Sequence, residues 1–415
     1  MTGSDSPDGD DTPADQPAPA DATAPVDATS EEPVRRPRFG AFLRYFLGLG
    51  TWGFGGPIAT VGYMQRDLVE RRRWVDRQEF LDGVALGQTM PGPLAAQVTM
   101  WVGFLQRGPL GALAVSVLFI LPSFLVVLGI AIAYVHHQGL DWVQALFYGI
   151  APGVIAVIAV AAVKLARLTN TTDRRLWAIS AVLGAVTAIT GAEMALLFVG
   201  AGLLIVLLDA PPRWLRHGPR SLSSLWLLGP TQGPWIELGV ATGTQTALAT
   251  FFLKAGAFIF GSGLAIVPFL RQGVVHDNHW MTEAQFLDAV AMGLITPGPV
   301  VISATFIGFF VGGLTGAIVA TVAIFVPIYL GVVLPGRWFI RHRAHPQLRA
   351  FVKGATAAAA GAIAGAVVVL ARDAITDVPT ALIALAALTL LWRYKIKEPY
   401  IVGLCALAGL ALYSP

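Results

Sequence analysis

The sequence predicts an all-α polytopic membrane protein of two inverted repeats with broken or re-entrant helices, and three observations carry that prediction. Of its 415 residues, 55% are hydrophobic and only 13% charged, in repeated apolar runs long enough to cross a hydrocarbon core of about 30 Å. A shift of 206 residues aligns positions 54–93 with 260–299 without a gap, and 15 of the 40 pairs are identical, among them Gly55/Gly261, Trp74/Trp280 and Asp82/Asp288. The third observation is Pro91-Gly92-Pro93, repeated as Pro297-Gly298-Pro299, in the middle of an apolar run in each half. Proline removes a backbone donor and clashes with the preceding turn, and glycine tolerates unusual dihedrals, so each tripeptide reads as an elbow between two half-helices.

Residues 1–38 are rich in Asp, Ala, Pro, Thr and Ser and nearly free of large apolar side chains, so they read as a disordered, acidic tail. Arg35, Arg36 and Arg38 stand directly before Phe39 and by the positive-inside rule hold the tail in the cytoplasm. No basic stretch, short apolar core and cleavage site precede Phe39, so the first apolar segment is expected to be retained. That segment is interrupted by Gly53-Phe54-Gly55-Gly56-Pro57, where backbone can unwind and approach a ligand. Between it and the next broken element lies Arg66 to Trp74, basic and ending in an interfacial tryptophan, which suits the cytoplasmic headgroup level. Apolar runs then follow at about 80–105, 109–135, 142–165, 176–190 and 193–208. The first repeat is read as 39–208, the linker as 209–235 with its Pro211-Pro212 and Gly-Pro steps, and the second repeat as 236–415.

Orientation follows from arginine and lysine. The loop after the third run of half one is His136-His137-Gln138, whereas its counterpart in half two carries Arg337, Arg341 and Arg343. The exits of the next run differ in the same way, with Lys164, Arg167, Arg174 and Arg175 against Arg372, Asp373 and Asp377. The two halves are therefore expected to be inverted. The arginines at 71–73 suggest that at least one broken element at the front of each half is re-entrant. A single cysteine, Cys405, excludes an intrachain disulfide and a cysteine metal cluster. Gly48 to Gly53 formally matches a dinucleotide fingerprint but has no strand before it, and neither a nucleotide-binding nor a hydrolase motif appears. The histidine pairs lack further ligands at metal spacing.

Several motifs together resemble the chromate ion transporter family in its long, two-domain form. They are Phe54-Gly55-Gly56-Pro57, Val69-Glu70-Arg71-Arg72-Arg73-Trp74, Gln88-Thr89-Met90-Pro91-Gly92-Pro93 with Gln97, Leu121-Pro122-Ser123, Phe260-Gly261-Ser262-Gly263 and Thr296-Pro297-Gly298-Pro299-Val300. The resemblance spans nearly everything after the tail. It implies a multi-pass carrier of the inner cell membrane that exports chromate, a tetrahedral dianion, driven by an ion gradient or the membrane potential. Sulfate or another oxyanion on the same scaffold, and an anion channel, are the alternatives. The expected partners are thus a small inorganic oxyanion, chromate or sulfate, and the lipid bilayer, with a homodimer as a candidate assembly; no nucleic acid, no metal and no cofactor is expected, and no enzymatic activity.

The residues themselves indicate where an anion would sit. Half-helix N-termini after each elbow offer unpaired N–H groups and a positive dipole end. Leu94 to Gln97 and Val300 to Ser303 are the first-turn groups, with Gln97 and Ser303 adding side-chain donors. Gly55, Gly56, Gln88, Gly261, Ser262 and Gly263 complete the candidate lining. The alternative is that each Pro-Gly-Pro only kinks a packed helix, but paired interruptions in corresponding places favour a site. Lys254 lies inside an apolar run, as a ligand for the dianion or as a snorkelling anchor. Asp82 and Asp288, nine residues before each first elbow proline, read either as carriers of a coupled proton or as first-turn acids stabilised by the helix dipole. The side-chain amides are concentrated in half one, where Gln88 and Gln97 stand against Leu294 and Ser303.

Overall fold

The computed structural model describes residues 37–53, 56–137, 140–190, 195–211, 243–259, 263–336, Trp338 and 345–413. The tail before Pro37, most of the linker, Gly55, Gly261, Ser262, and the arginines at 337, 341 and 343 lie outside the described residues. Within them the fold is entirely helical, and four helices are long and apolar enough to cross a membrane: Leu94–His137, Asp141–Asn170, Val300–Val333 and Pro346–Ala374.

Half one starts with α1 (Phe39–Trp52), breaks after Gly53, and turns back through α2 (Gly56–Met64) and a π-helical turn (Gln65–Arg71). Trp74, at the end of this return, packs on Phe42 and Tyr45 near the start of α1 with ring centroids 6.1 and 6.3 Å apart. The first broken element is therefore a hairpin that comes back to the end of the bundle where it began. The next is another. Asp76 caps α3 (Arg77–Thr89) by accepting from Gln78 N and Glu79 N, as an N-cap aspartate does. After Pro91-Gly92-Pro93 the chain returns along the first arm of α4 (Leu94–His137), where Trp101 Nε1 donates to Glu79 O at 2.9 Å.

A sharp reversal then occurs inside α4 at Arg107 and Gly108, where Gly108 takes φ 63°, ψ −153°. Gly103 and Gly111 face each other across this turn, and a methyl group on either would strike the other's carbonyl, so two glycines are what let the arms touch. Only the second arm, 109–137, crosses the bundle. Half two repeats each step: α8 (Thr244–Ala257), a 3₁₀ turn (Gly263–Ile266), α9 (Val267–Arg271), a π-helical turn (Gln272–Asp277), α10 (Glu283–Ile295), a short 3₁₀ start (Val300–Ile302) and α11 (Ser303–Val333). The matching is detailed: Gly313 repeats Gly108 at φ 63°, His279 repeats Arg73 at φ 51° and 52°, and Gly308/Gly316 repeat Gly103/Gly111.

The halves are antiparallel. Tyr329 of α11 donates to Pro109 O at 2.9 Å at one end of the bundle, and Tyr134 packs on Phe306 at 5.1 Å at the other. His136 and His137 thus stand at the far end and Gly336, against Trp101 and Phe104, at the near end, as the lysine and arginine pattern predicts. Both broken elements of each half are re-entrant, one more than the arginines at 71–73 require. The last described residues of half one, after Asp209, sit at the near end, where Asp209 pairs with Arg175 at 2.9 Å. Half two opens at the far end, with Gln245 Nε2 3.0 Å from Thr315 Oγ1 beside the Gly312-Gly313 reversal.

The remaining helices interlock the halves. Half one continues through α5 (Asp141–Asn170), α6 (Arg174–Thr190) and α7 (Ala195–Asp209), and half two through α12 (Pro346–Ala374), α13 (Val378–Arg393) and α14 (Glu398–Leu412). The α6–α7 pair packs on α12 of the other half, with Ser180 Oγ donating to Ala357 O at 2.7 Å. Reciprocally, α13 and α14 pack on α5, where Arg167 lies 5.1 Å over Trp392 and Cys405 is buried against Gly153. A methyl on Gly149 would sit 2.6 Å from Gly409 N, so close helix approach replaces the hydrophobic drive that lipid does not supply.

At the far end Asp377 caps α13. Tyr148 donates to it at 2.5 Å and Thr380 N at 2.9 Å, and these bonds hold its carboxyl below the usual carboxylate range. A lowered folded value means stabilisation that is full above about pH 4 and lost as pH falls through the lowered value. Asp377→Asn is therefore expected to lower the melting temperature in detergent at neutral pH, with the gap to the parent closing on acidification below that range.

Candidate functional site

Each elbow is held against the other half. In half one, Gly92 takes φ 141° and donates its N–H to Ile259 O at 2.6 Å, where the first broken element of half two unwinds. In half two, Gly298 takes φ 117°, and Ser123 of α4 donates to Pro297 O. Ser123 stands midway between Pro109 and His137 on the crossing arm, roughly 21 Å from either end at 1.5 Å per residue. Ile328 of α11, next to Pro327 as Ser123 is next to Pro122, lies against Gly92. The elbows thus meet the proline-bearing middle of the opposite half's crossing helix.

They also meet each other. A methyl on Gly263 would sit 3.7 Å from Pro93 Cβ and 3.8 Å from Val300 Cβ, so this glycine lies beside both elbows at once. This convergence of two unwound segments at mid-depth is what the repeated Pro-Gly-Pro predicts.

Individual residues are placed as follows. Pro91, Gly92 and Pro93 form the half-one elbow, with Leu94 opening α4 against Gly87 of α3, and Pro297, Gly298 and Pro299 form that of half two, with Gly293 of α10 facing Val300 and Ser303. Gly56 opens α2 beside the first break. Ser303 is buried, its Cβ 3.4 Å from where a methyl on Gly293 would stand. Gln97 is fully buried, and its amide donates to Met90 O at 3.2 Å and Pro91 O at 2.9 Å. The opposite amide assignment would set oxygen against oxygen. Both hydrogens are committed, which corrects the expectation that Gln97 offers a free donor: in this conformation it satisfies two carbonyls that the elbow strips of helical partners. Its Oε1 is buried without a hydrogen-bond partner. Gln88 and Lys254 are exposed, Lys254 beside Leu253 in the last turn of α8, and neither enters the contacts that join the elbows.

The two aspartates need a second correction. Both are the sixth residue of their helices, and the first-turn acids are Glu79 and Glu283, so dipole stabilisation at a helix start does not explain them. Each is 7% exposed. Their environments differ: Asp82 accepts from Gln78 Nε2 at 2.9 Å on its own helix, whereas Asp288 accepts from Tyr134 of the other half at 2.8 Å. A cavity of ≈ 330 Å³ opens beside Asp288 at the far end. Ser123, Tyr134, Ile259 and Ile328 carry no role in the sequence reading. The Leu121-Pro122-Ser123 motif and its counterpart Pro327-Ile328 were the signal available for two of them, since a proline at the middle of a crossing helix marks where it gives way.

Inverted repeats, discontinuous helices and unwound backbone meeting at mid-depth define a polytopic membrane transport protein. The family described as chromate transporter matches residues 40–207 and 246–410, and the chain belongs to that family. It is 50% identical over 370 residues to a chromate transport protein of Cupriavidus metallidurans, covering 89% of this chain and 92% of the relative. It is 48% identical over 379 residues to a probable chromate transport protein of Synechococcus elongatus, covering 89% and 95%. A chromate transport protein of Pseudomonas aeruginosa is 31% identical over 394 residues, covering 91% and 92%. No solved structure matches the chain.

Removing the hydroxyl of Ser123 leaves the Pro297 carbonyl buried without its donor, at a cost of about 1–3 kcal/mol. Ser123→Ala is expected to lower thermal stability in detergent, and Ser123→Thr to retain most of it; equal melting temperatures for Ser123→Ala and the parent would show that the contact holds nothing.

Proposed function

We propose that this protein exports chromate across the inner membrane, with the dianion bound between the two elbows and movement driven by an ion gradient or the membrane potential. The observation that carries the reading is Gly263, which lies between Pro93 of one elbow and Val300 of the other and leaves a methyl-sized space beside both. Around that point the first turns of α4 and α11 begin, and helix N-termini present N–H groups and a positive dipole end to an anion without a fixed countercharge. A tetrahedral dianion would draw its donors from the backbone around Leu94 and Val300, with Ser303 adjacent. Gln97 acts as a brace on the elbow carbonyls.

The ends of the bundle differ in charge. Arg66, Arg71, Arg72, Arg77, Arg107, Arg167 and Arg174 gather at the near end, whereas Asp141, Asp277, Asp373 and Asp377 stand at the far end. The positive-inside rule assigns the near end, and the start of α1 with it, to the cytoplasm. The same arginines raise the local concentration of a cytoplasmic dianion.

Chromate flux in proteoliposomes with imposed voltage and pH gradients, and with sulfate competing, tests the reading. Saturable chromate movement that follows a gradient supports it. Non-saturating flux would make the protein a channel, and preference for sulfate would change the cargo. Gln97→Leu strips two carbonyls of their donor, an effect of roughly 1–3 kcal/mol, and is expected to weaken apparent chromate affinity more than Ser303→Ala does. Lys254→Gln separates attraction from anchorage: a role in attracting the dianion predicts weaker affinity and a shallower salt dependence, and an anchor leaves both unchanged.

A further inference from the structure

The cavity at the far end and the carboxylate at its floor are left over by an anion site at the elbows. Asp288 is the buried acid of that cavity, and it joins two halves: it rides on α10, and its hydroxyl partner Tyr134 is on α4. The same two elements are joined again at mid-depth, where Ser123 of α4 donates to Pro297 O at the end of α10. Eleven residues separate the two α4 contacts and nine separate the two α10 contacts, so a rigid strut of α10 is pinned to α4 at its acid end and at its elbow.

We infer that Asp288 is the site at which a proton from the far face is loaded, and that loading it loosens the Tyr134 clasp and thereby frees the half-two elbow. The inference rests on the reading of the protein as a chromate carrier and names the residue that couples it. With the carboxylate ionised, Tyr134 donates a charge-assisted hydrogen bond; a proton bound there neutralises the acceptor and weakens that bond. The proton comes from water in the cavity, binds one carboxylate oxygen without any other bond breaking, and leaves as the same proton when the site is next exposed to the near face. Intramembrane acids placed beside water mark relays of this kind.

The other charged and titratable groups around the cavity are accounted for. Glu283, one turn earlier on α10, pairs with Arg271 of α9 at 2.5 Å, and His276 of the π-helical turn lies 3.3 Å from it. Asp373 of α12 lines the cavity and approaches Arg271 at 3.5 Å. Tyr148 of α5 donates to Asp377 at the start of α13, and Tyr413, after α14, donates to Gln144 of α5. Asp288 has its tyrosine instead of a cation. Its repeat mate Asp82 accepts from Gln78 on its own helix, whereas the bond that Asp288 accepts spans the halves. The coupling role is assigned to Asp288, which lines the cavity and accepts the bond from the other half.

The test uses the full chain in proteoliposomes, measuring chromate-for-chromate exchange and, separately, accumulation driven by a pH gradient alone. The parent is expected to do both. Asp288→Asn is expected to lose the gradient-driven accumulation while still exchanging chromate, Asp82→Asn to keep both, and Tyr134→Phe to displace the pH dependence of accumulation. Should Asp288→Asn lose exchange as well, Asp288→Glu decides: a carboxyl restored at that place must restore gradient-driven accumulation. No chromate exchange by the parent overturns the substrate reading. Exchange without a response to the pH gradient overturns the coupling inference alone, as does an Asp288→Asn variant that still follows the gradient, an Asp82→Asn variant with the same loss, or an unmoved pH profile in Tyr134→Phe.

Discussion

The structure depends on satisfying backbone that is not helical at the middle of an apolar bundle. Each Pro-Gly-Pro leaves carbonyls and N–H groups without intrahelical partners, and lipid offers them none. The chain solves this differently in its two halves. Gln97 turns its amide onto Met90 O and Pro91 O, and Gly92 N–H goes to Ile259 O; in half two, Ser123 reaches Pro297 O. Two of these solutions cross between repeats, so each elbow makes one hydrogen bond with the opposite half.

That bonding between halves accompanies an interlocked arrangement of the rest. Hairpin α6–α7 lies on α12, and α13–α14 lies on α5, through small residues such as Gly149, Gly361 and Gly409 that let backbones touch. Neither half presents a complete core by itself. The crossing arms of α4 and α11 run antiparallel with their prolines at mid-depth, where they meet the elbows, and a helix that has lost a hydrogen bond at proline is the place where it can bend. Each elbow is in contact with the other half's crossing helix at that point.

Symmetry in the backbone makes the departures from symmetry informative. The reversals at Gly108 and Gly313 agree to within a degree in φ and ψ. Yet Ser123 is matched by Ile328, and Asp82 and Asp288 have partners of different origin. The ion pair of buried Arg271 with half-buried Glu283 has no counterpart in half one, where Gln65 and Arg77 occupy those positions. A carrier that moves a charged cargo in one direction has a use for such inequality, because the two ends of its path face different solutions.

Much of this was legible in the sequence. Hydropathy and the 206-residue repeat determine an all-helical bundle of two related halves, the bias of lysine and arginine determines that they are inverted, and Pro-Gly-Pro determines where helices must break, because each of these follows from local chemistry or from the bilayer's demand on it. Which groups answer the broken backbone could not be read, since Ser123 and Pro297 are 174 residues apart and no local pattern ties them together. The same limit made Gln97 look like a free donor and placed Asp82 and Asp288 in first turns: a sequence shows that a polar group is present, but its partner is chosen by packing. Only the tertiary structure decided that Tyr134 stands against Asp288 and that a cavity opens beside it, because both depend on antiparallel helices from different halves arriving at one end of the bundle.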